Sequence, residues 1–260
     1  MIKDISLSAY VFPVYDGKIA LLKYGENGYG PIGGRLDEGE DFKTALQREL
    51  TEELGKSVSV LANNIVEIPV PYAFRHATKE RAQKRGAWAE EHHFYIMHIA
   101  EDIDLEFVEN RTEEVSVVWL SPNELLDPNI TPFEDMRNFY SSHILPNLSC
   151  RFSMSLQHTY YEMLMSGDKD IELRLYDEKR RRMHNGDIVL IYNAQNCNDY
   201  IRAKIMRLHI AKSFADLSTK ISVTRTGFPN LNSLMSAISK FYDSDTESKY
   251  GIVGIELEII

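Results

Sequence analysis

Between Gly34 and Gly55 the chain reads GRLDEGEDFKTALQRELTEELG, with carboxylates at Glu49, Glu52 and Glu53, positions i, i+3 and i+4. On a helix these three side chains share one face. Like charges crowded there are unfavourable without a counter-charge. A hard divalent cation is the natural one, because it takes several oxygen ligands. Phe42, Ala45, Leu46, Leu50 and Leu54 recur at three- and four-residue spacing on a different stripe, which predicts an amphipathic helix. Gly55 is placed to end it, and Lys56 puts a cation at its C-terminus. Gly33 and Gly34 precede it as a tight loop whose backbone can approach a metal or phosphate closely.

The stretch resembles the signature box of the Nudix hydrolases: a glycine, five residues, Glu, seven residues, Arg-Glu, an aliphatic, one residue, Glu-Glu, one residue, glycine, then an aliphatic. Gly34, Glu40, Arg48, Glu49, Glu52, Glu53 and Gly55 match, and Lys56 stands where the aliphatic is usual. The resemblance implies an α/β fold, a mixed sheet sandwiched between helices. It also implies Mg2+ or Mn2+ as cofactor, and hydrolysis of a diphosphate joined to another group. It makes Glu49 and Glu53 the first candidates for metal ligands, and Glu52 either a third ligand or the general base. Arg48 is expected to orient a glutamate through a charge-assisted bond, with Glu40 as recipient or outer ligand. The Gly33 carbonyl is a further candidate ligand. An additional acidic residue in the family often completes the site, and Glu113 or its neighbour Glu114 matches that place; the metal ligands the resemblance implies are Gly33, Glu49, Glu52, Glu53 and Glu113.

Composition limits the alternatives. At 260 residues the chain has room for two domains. Hydrophobic residues make up 43% and charged residues 26%, an ordinary globular balance. Two cysteines, Cys150 and Cys197, make no disulfide framework, which suits a reducing compartment. No signal peptide and no run of about 18 apolar residues is visible, so a cytoplasmic protein without membrane partners is expected. The net charge of −10 is uneven: residues 1–150 carry −11 and residues 151–260 carry +1. That asymmetry points to two units with different partners.

In the first half, residues 8–15 and 18–24 alternate as strands around Asp16-Gly17, a hairpin signal. Pro13 suggests an edge position or a bulge in the first of them. Residues 58–68, 93–100 and 115–120 read as further strands, and 132–144 as a helix. Residues 72–92 are the least regular stretch. Arg75, His76, Lys79, Arg81, Lys84 and Arg85 make it locally basic. It reads as a solvated loop, with a clamp on substrate phosphates as the functional alternative. Residues 146–149 (PNLS) mark a boundary, giving domains at 1–148 and 153–260.

Beyond it, 157–165 reads as a helix, and 171–175, 188–192, 201–210 and 251–260 as strands. Residues 160–193 and 250–258 resemble the ASCH domains, β-barrels with helices related to the PUA RNA-binding fold. The resemblance implies a cleft for RNA or a nucleotide, with Lys169, Glu172, Arg174, Asp177, Lys179 and Arg180 at its polar positions. Some relatives hydrolyse an amide of a modified nucleoside with a lysine and a nearby threonine. Lys169 matches the lysine, but Glu172 stands where the threonine is needed, so the nucleophile is missing. The basic run 179–182 also reads as a solvated turn between strands.

The leading expectation is a hydrolase of a nucleoside-diphosphate-linked substrate with an appended RNA- or nucleotide-binding domain. The alternative is a non-catalytic RNA- or nucleotide-binding regulator that keeps the fold, which the intact set of glutamates disfavours. An isomerase of isoprenoid diphosphates on the same fold is expected to need a cysteine near substrate, and residues 1–149 have none. The resemblance leaves a homodimer open.

Overall fold

Asp16 and Gly17 both adopt positive φ, 47° and 73°, the backbone that a two-residue hairpin turn requires. They join β1 (Lys3–Tyr15) to β2 (Lys18–Tyr24), with Val14 opposite Ile19 and Tyr15 opposite Lys18. The computed structural model describes residues 2–26, 28–55, 58, 65–99, 105–109 and 114–260. It divides into two units, Met1–Ser149 and Cys150–Ile260.

The first unit is built on one mixed sheet. Its further strands are β3 (Tyr29–Gly30), β4 (Ile32–Arg35), β5 (Ile65–Glu67), β6 (Tyr72–Arg75), β7 (Ala87–His98) and β8 (Val115–Leu120). The order is β3-β2-β1-β7-β5, with β4 on β1, β6 on β7 and β8 on β2. β1 and β7 run parallel through eleven residue pairs between Lys3↔Ala87 and Val14↔His98; the other pairs are antiparallel. Strand alternation sorts the side chains. Ala9, Val11, Tyr95 and Met97 pack against Ala45, Leu46, Leu50 and Leu54 of α1 (Phe42–Leu54). On the opposite face, Phe12 stacks on Phe94 at 5.6 Å, and Tyr140 meets both edge-on. Tyr140 follows α4 (Glu134–Phe139), after α2 (Lys79–Arg85) and α3 (Pro122–Leu125), and opens a π-helical turn, Tyr140–Ile144. The sheet therefore lies between helices, as an α/β sandwich.

Two expectations are corrected here. Pro13 lies in an interior strand. Pairing of β1 with β4 ends at Val11 and with β2 begins at Val14, so the proline occupies the interval between the two partners. Residues 72–92 are ordered: β6, then α2 capped by Thr78 at its start and by left-handed Gly86 at its end, then the start of β7. A buried Ala82 holds that helix down, while Arg75, Lys79, Arg81, Lys84 and Arg85 remain exposed. Of the expected strand at 58–68, residues 59–64 lie outside the described residues, and 65–67 form β5.

The second unit carries a five-stranded sheet, order β10-β13-β12-β11-β9, curled as half a barrel. Its strands are β9 (Cys150–Leu156), β10 (Ile171–Leu175), β11 (Ile188–Asn193), β12 (Asn196–Ala211) and β13 (Ile252–Ile259). β9 and β10 form its two edges. Around it lie α5 (His158–Ser166), α6 (Glu178–Arg181), α7 (Phe214–Lys220), α8 (Leu231–Ile238) and α9 (Ser244–Tyr250). The basic run is thus a helical turn capped by Asp177, not an irregular one. Helices α7 and α8 close a second apolar cluster through Phe214, Leu217, Leu234 and Ile238 against Ile171 and Ile252. No helix among the described residues is long and apolar enough to cross a membrane.

Burial drives the Cys150 thiol up to about 12, so it stays protonated at neutral and mildly alkaline pH. A thiol reagent at pH 8 should label one cysteine, the half-buried Cys197, in native protein and two in denaturant. Labelling of Cys150 without unfolding contradicts this packing. Truncating Leu50, fully buried between α1 and the sheet, should cost about 2–5 kcal/mol in the first unit's urea transition.

Candidate active site

Helix α1 begins at Asp41, whose carboxylate accepts the Thr44 N–H at 2.7 Å, a standard N-cap bond. Its apolar stripe binds it to the sheet, which fixes where its acidic face points. Glu53 is 1% exposed, and its Oε2 accepts the backbone N–H of Gly33 at 2.8 Å. Glu49 turns toward the same loop: a Cβ on Gly34 would stand 2.4 Å from Glu49 Oε1. Gly33 has φ +121°, and a Cβ there would meet the Ala9 carbonyl oxygen at 2.2 Å. Gly33 is therefore required by close approach to backbone and by its own conformation, while a side chain at 34 would displace the Glu49 carboxylate. The side chain of Glu52 points outward and is 51% exposed.

Arg48 ties the acids together. Its Nε donates to Glu40 Oε1 at 2.9 Å and one terminal nitrogen to Glu40 Oε2 at 3.0 Å. The other terminal nitrogen donates to Glu49 Oε1 at 2.8 Å and Glu52 Oε2 at 3.2 Å. Asp37 lies 3.6 Å away, and the Arg35 carbonyl accepts a further bond at 2.9 Å. These bonds hold Glu40 below the usual carboxylate range, helped by the Asp37 N–H. Glu49 goes the other way. Burial raises it, Arg48 opposes that, and the charges of Glu52 and Glu109 raise it further. One guanidinium does not balance the carboxylates gathered here.

Glu109 was not visible as a site residue in the sequence. The Val108 N–H donates to the Glu53 carbonyl at 2.8 Å, and Phe107 packs on the α1 core, which brings the next residue alongside the acidic face. Glu113 lies outside the described residues. Glu114 is exposed, and its carbonyl accepts the Gly25 N–H at 2.9 Å. Among the described residues, no three His, Cys, Asp or Glu side chains converge closely enough to hold an ion. Arg48 draws Glu49 and Glu52 to itself. The donor set is nonetheless all hard oxygen, closed on one side by the bare Gly33–Gly34 backbone, and that chemistry fits Mg2+ or Mn2+.

A second buried polar group escaped sequence reading. Glu90 accepts from His76 Nε2 at 2.9 Å, His92 Nε2 at 3.2 Å and Arg35 at 3.4 Å. Burial works against its charge, but these partners and Arg85 hold it below the carboxylate range. Burial lowers His92 in turn. Arg35 also donates to the Arg85 carbonyl at 2.7 Å. The network pins α2 and β6 to the end of β4, next to the glycine loop. The alternation of Glu90 and His92 along one strand is the only signal that could have indicated it.

In the second unit, Lys169, Glu172 and Arg174 line one cavity. Lys179 and Arg180 do not: Lys179 Nζ donates to the Ser153 carbonyl at 2.7 Å, and Arg180 pairs with Asp177 at 2.6 Å. Both are anchored in the framework.

A family model described as the NUDIX domain matches residues 5–141, and one described as the ASCH domain matches residues 154–260. A search of curated proteins returns no match. Among solved structures, the hypothetical protein PH0355 is 34% identical over 42% of this chain and 97% of its own, with a TM-score of 0.38. Protein PF0455 from Pyrococcus furiosus is 29% identical over 42% and 96%, TM-score 0.35. The MutT protein from Methanosarcina mazei Go1 is 18% identical over 55% and 94%, TM-score 0.40.

Replacing Gly33 with alanine should lower the stability of the first unit by more than the same change at Gly39. Gly39 also has positive φ, but nothing lies within 4 Å of its Cβ position, so its cost is the conformational one alone, about 1–2 kcal/mol. Denaturant titration of the two variants decides it; equal losses contradict the described approach of Gly33 to Ala9.

Proposed function

The chain belongs to the NUDIX family through residues 5–141, and from that premise we propose that it is a pyrophosphohydrolase acting on a nucleoside-diphosphate-linked compound. The observation that carries the reading is the Arg48-centred set of carboxylates facing the Gly33–Gly34 loop. Glu49 and Glu53, one turn apart, are proposed to hold Mg2+ or Mn2+, with Glu109 as the further acid beside Glu49. When bound, the metal would offset the substrate's negative charge and acidify a ligated water. Glu52, the most exposed of the three helix carboxylates, is assigned as general base. It would accept a proton from the attacking water. The water oxygen would bond to one phosphorus, the bridging P–O bond would break, and the bridging oxygen would leave with the second phosphate. Arg48 is a positioning residue: it acts by fixing Glu49 and Glu40. The exposed cations of α2 and Arg75 are offered as a clamp on the outer phosphates. The ASCH domain is proposed to bind RNA or a nucleotide.

Glu53→Gln keeps the shape of the side chain and its acceptor for Gly33 N–H while removing a charge. Nucleoside monophosphate formation from a panel of nucleoside-diphosphate-linked compounds with Mg2+ or Mn2+ should fall about a hundredfold or more, with an unaltered circular dichroism spectrum. Undiminished turnover would refute the assignment of Glu53. Absence of turnover in the parent protein, alongside nucleotide binding, would favour the non-catalytic regulator instead.

A further inference from the structure

The cavity in the second unit has a volume of about 220 Å3, below the about 300–1,000 Å3 of sites for drug-sized ligands. It accommodates one ring system and not an extended chain. Much of its wall is aromatic or aliphatic, including Tyr160, Leu173, Phe228, Ile238 and Phe241. Tyr160 and Phe228 lie with ring centroids 5.8 Å apart, and Phe241 is 54% exposed at the rim. Such walls suit a flat face.

The charged groups in the wall are largely paired with one another and with backbone carbonyls. Lys169 is 3% exposed, and an ammonium has three donors. Lys169 donates to the Ile171 carbonyl at 2.7 Å and the Thr226 carbonyl at 3.0 Å, and it is ion-paired with Glu172 Oε2 at 3.2 Å. Arg174 donates to Glu172 Oε1, to the Leu173 carbonyl and to the Ser155 carbonyl. Lys169 is thereby spent on the framework, and Arg174 spends three of its five N–H donors there. Glu172 is different. It is nine-tenths buried in the cavity wall, and its two protein partners take two of the roughly four acceptor positions of a carboxylate. What the wall still offers a ligand is acceptor capacity beside aromatic faces.

Resting on the reading of this domain as a nucleotide binder, we propose that the cavity takes a single uncharged heterocyclic ring that presents N–H donors to Glu172, with sugar and phosphate left outside. The ligand class is a nucleobase with a donor edge, such as guanine. Ring recognition of this kind is independent of phosphate, and so it depends little on salt.

The test is calorimetric titration of the full chain in EDTA, which removes divalent ions from the hydrolase site. Guanosine should bind about tenfold or more tighter than purine riboside, the same ring system without N–H donors. Ribose 5-phosphate should not compete. Raising salt from about 50 to about 300 mM should change guanosine affinity less than about twofold, unlike a phosphate-driven site. Glu172→Gln should weaken guanosine about tenfold. Because that change also disturbs Lys169 and Arg174, Phe241→Ala at the exposed rim provides a second arm and should weaken guanosine by about fivefold, roughly a stacking contact. RNA binding with a steep salt slope and no response to guanosine would overturn the inference while leaving the domain reading intact. Silence toward both nucleosides and RNA would end both. Guanosine binding unaltered in both variants would place the ligand elsewhere and overturn the assignment.

Discussion

A single guanidinium, that of Arg48, lies within 4 Å of Asp37, Glu40, Glu49 and Glu52. The first unit's site depends on this imbalance. Glu40 is satisfied by two charge-assisted bonds from it, which are the strong kind. Glu49 must share Arg48 while half buried and facing other acids, and its proton affinity rises as a result. Glu53 is buried deeper and takes a backbone amide. An arrangement that gathers this much negative charge around one fixed cation favours any second cation that enters. That is the physical root of the proposed metal dependence.

The backbone makes the gathering possible. The apolar stripe of α1 fixes its rotation against Ala9, Val11 and Met97, so Glu49 and Glu53 face the Gly33–Gly34 stretch of β4. Only glycine at 33 lets β4 approach so closely, because a side chain there would strike the Ala9 carbonyl; one at 34 would push the Glu49 carboxylate aside. Val108 then docks on the last turn of the helix through the Glu53 carbonyl. Each contact is set by packing around the site and not by the acids themselves, so the charges are held against their own repulsion.

The helix, its terminal glycine and its acidic face were legible in the sequence, because they follow from spacing along one element; the Asp41 cap was not read. The hairpin was legible because Asp-Gly dictates its own backbone. Pairings between distant strands were not. The long parallel register of β1 with β7 joins residues some 84 positions apart, and the gap between β4 and β2 that lets Pro13 stand inside a sheet is equally a matter of distant pairing. The Glu90 network was hidden for the same reason: His76, His92 and Arg35 meet it only through β6, β7 and β4. Residues 72–92 looked irregular because their charges mask a short helix held by one buried alanine. Helices α7, α8 and α9 went unread because each is short, and tertiary packing more than periodicity sustains them. In the second unit, the basic residues looked like an anion site because sequence shows charge but not partners. Lys169 and Lys179 are both committed to backbone carbonyls.

The central claim is that the carboxylates of α1 take up a divalent ion. Electron paramagnetic resonance of Mn2+ titrated into the full chain reads this directly, because bound and free ions give different signals. Saturable uptake by the parent protein, lost when Glu49 and Glu53 are both changed to glutamine and retained when the exposed Glu134 is changed instead, is the predicted result. No uptake by the parent protein, or the same uptake in the double variant, would contradict it.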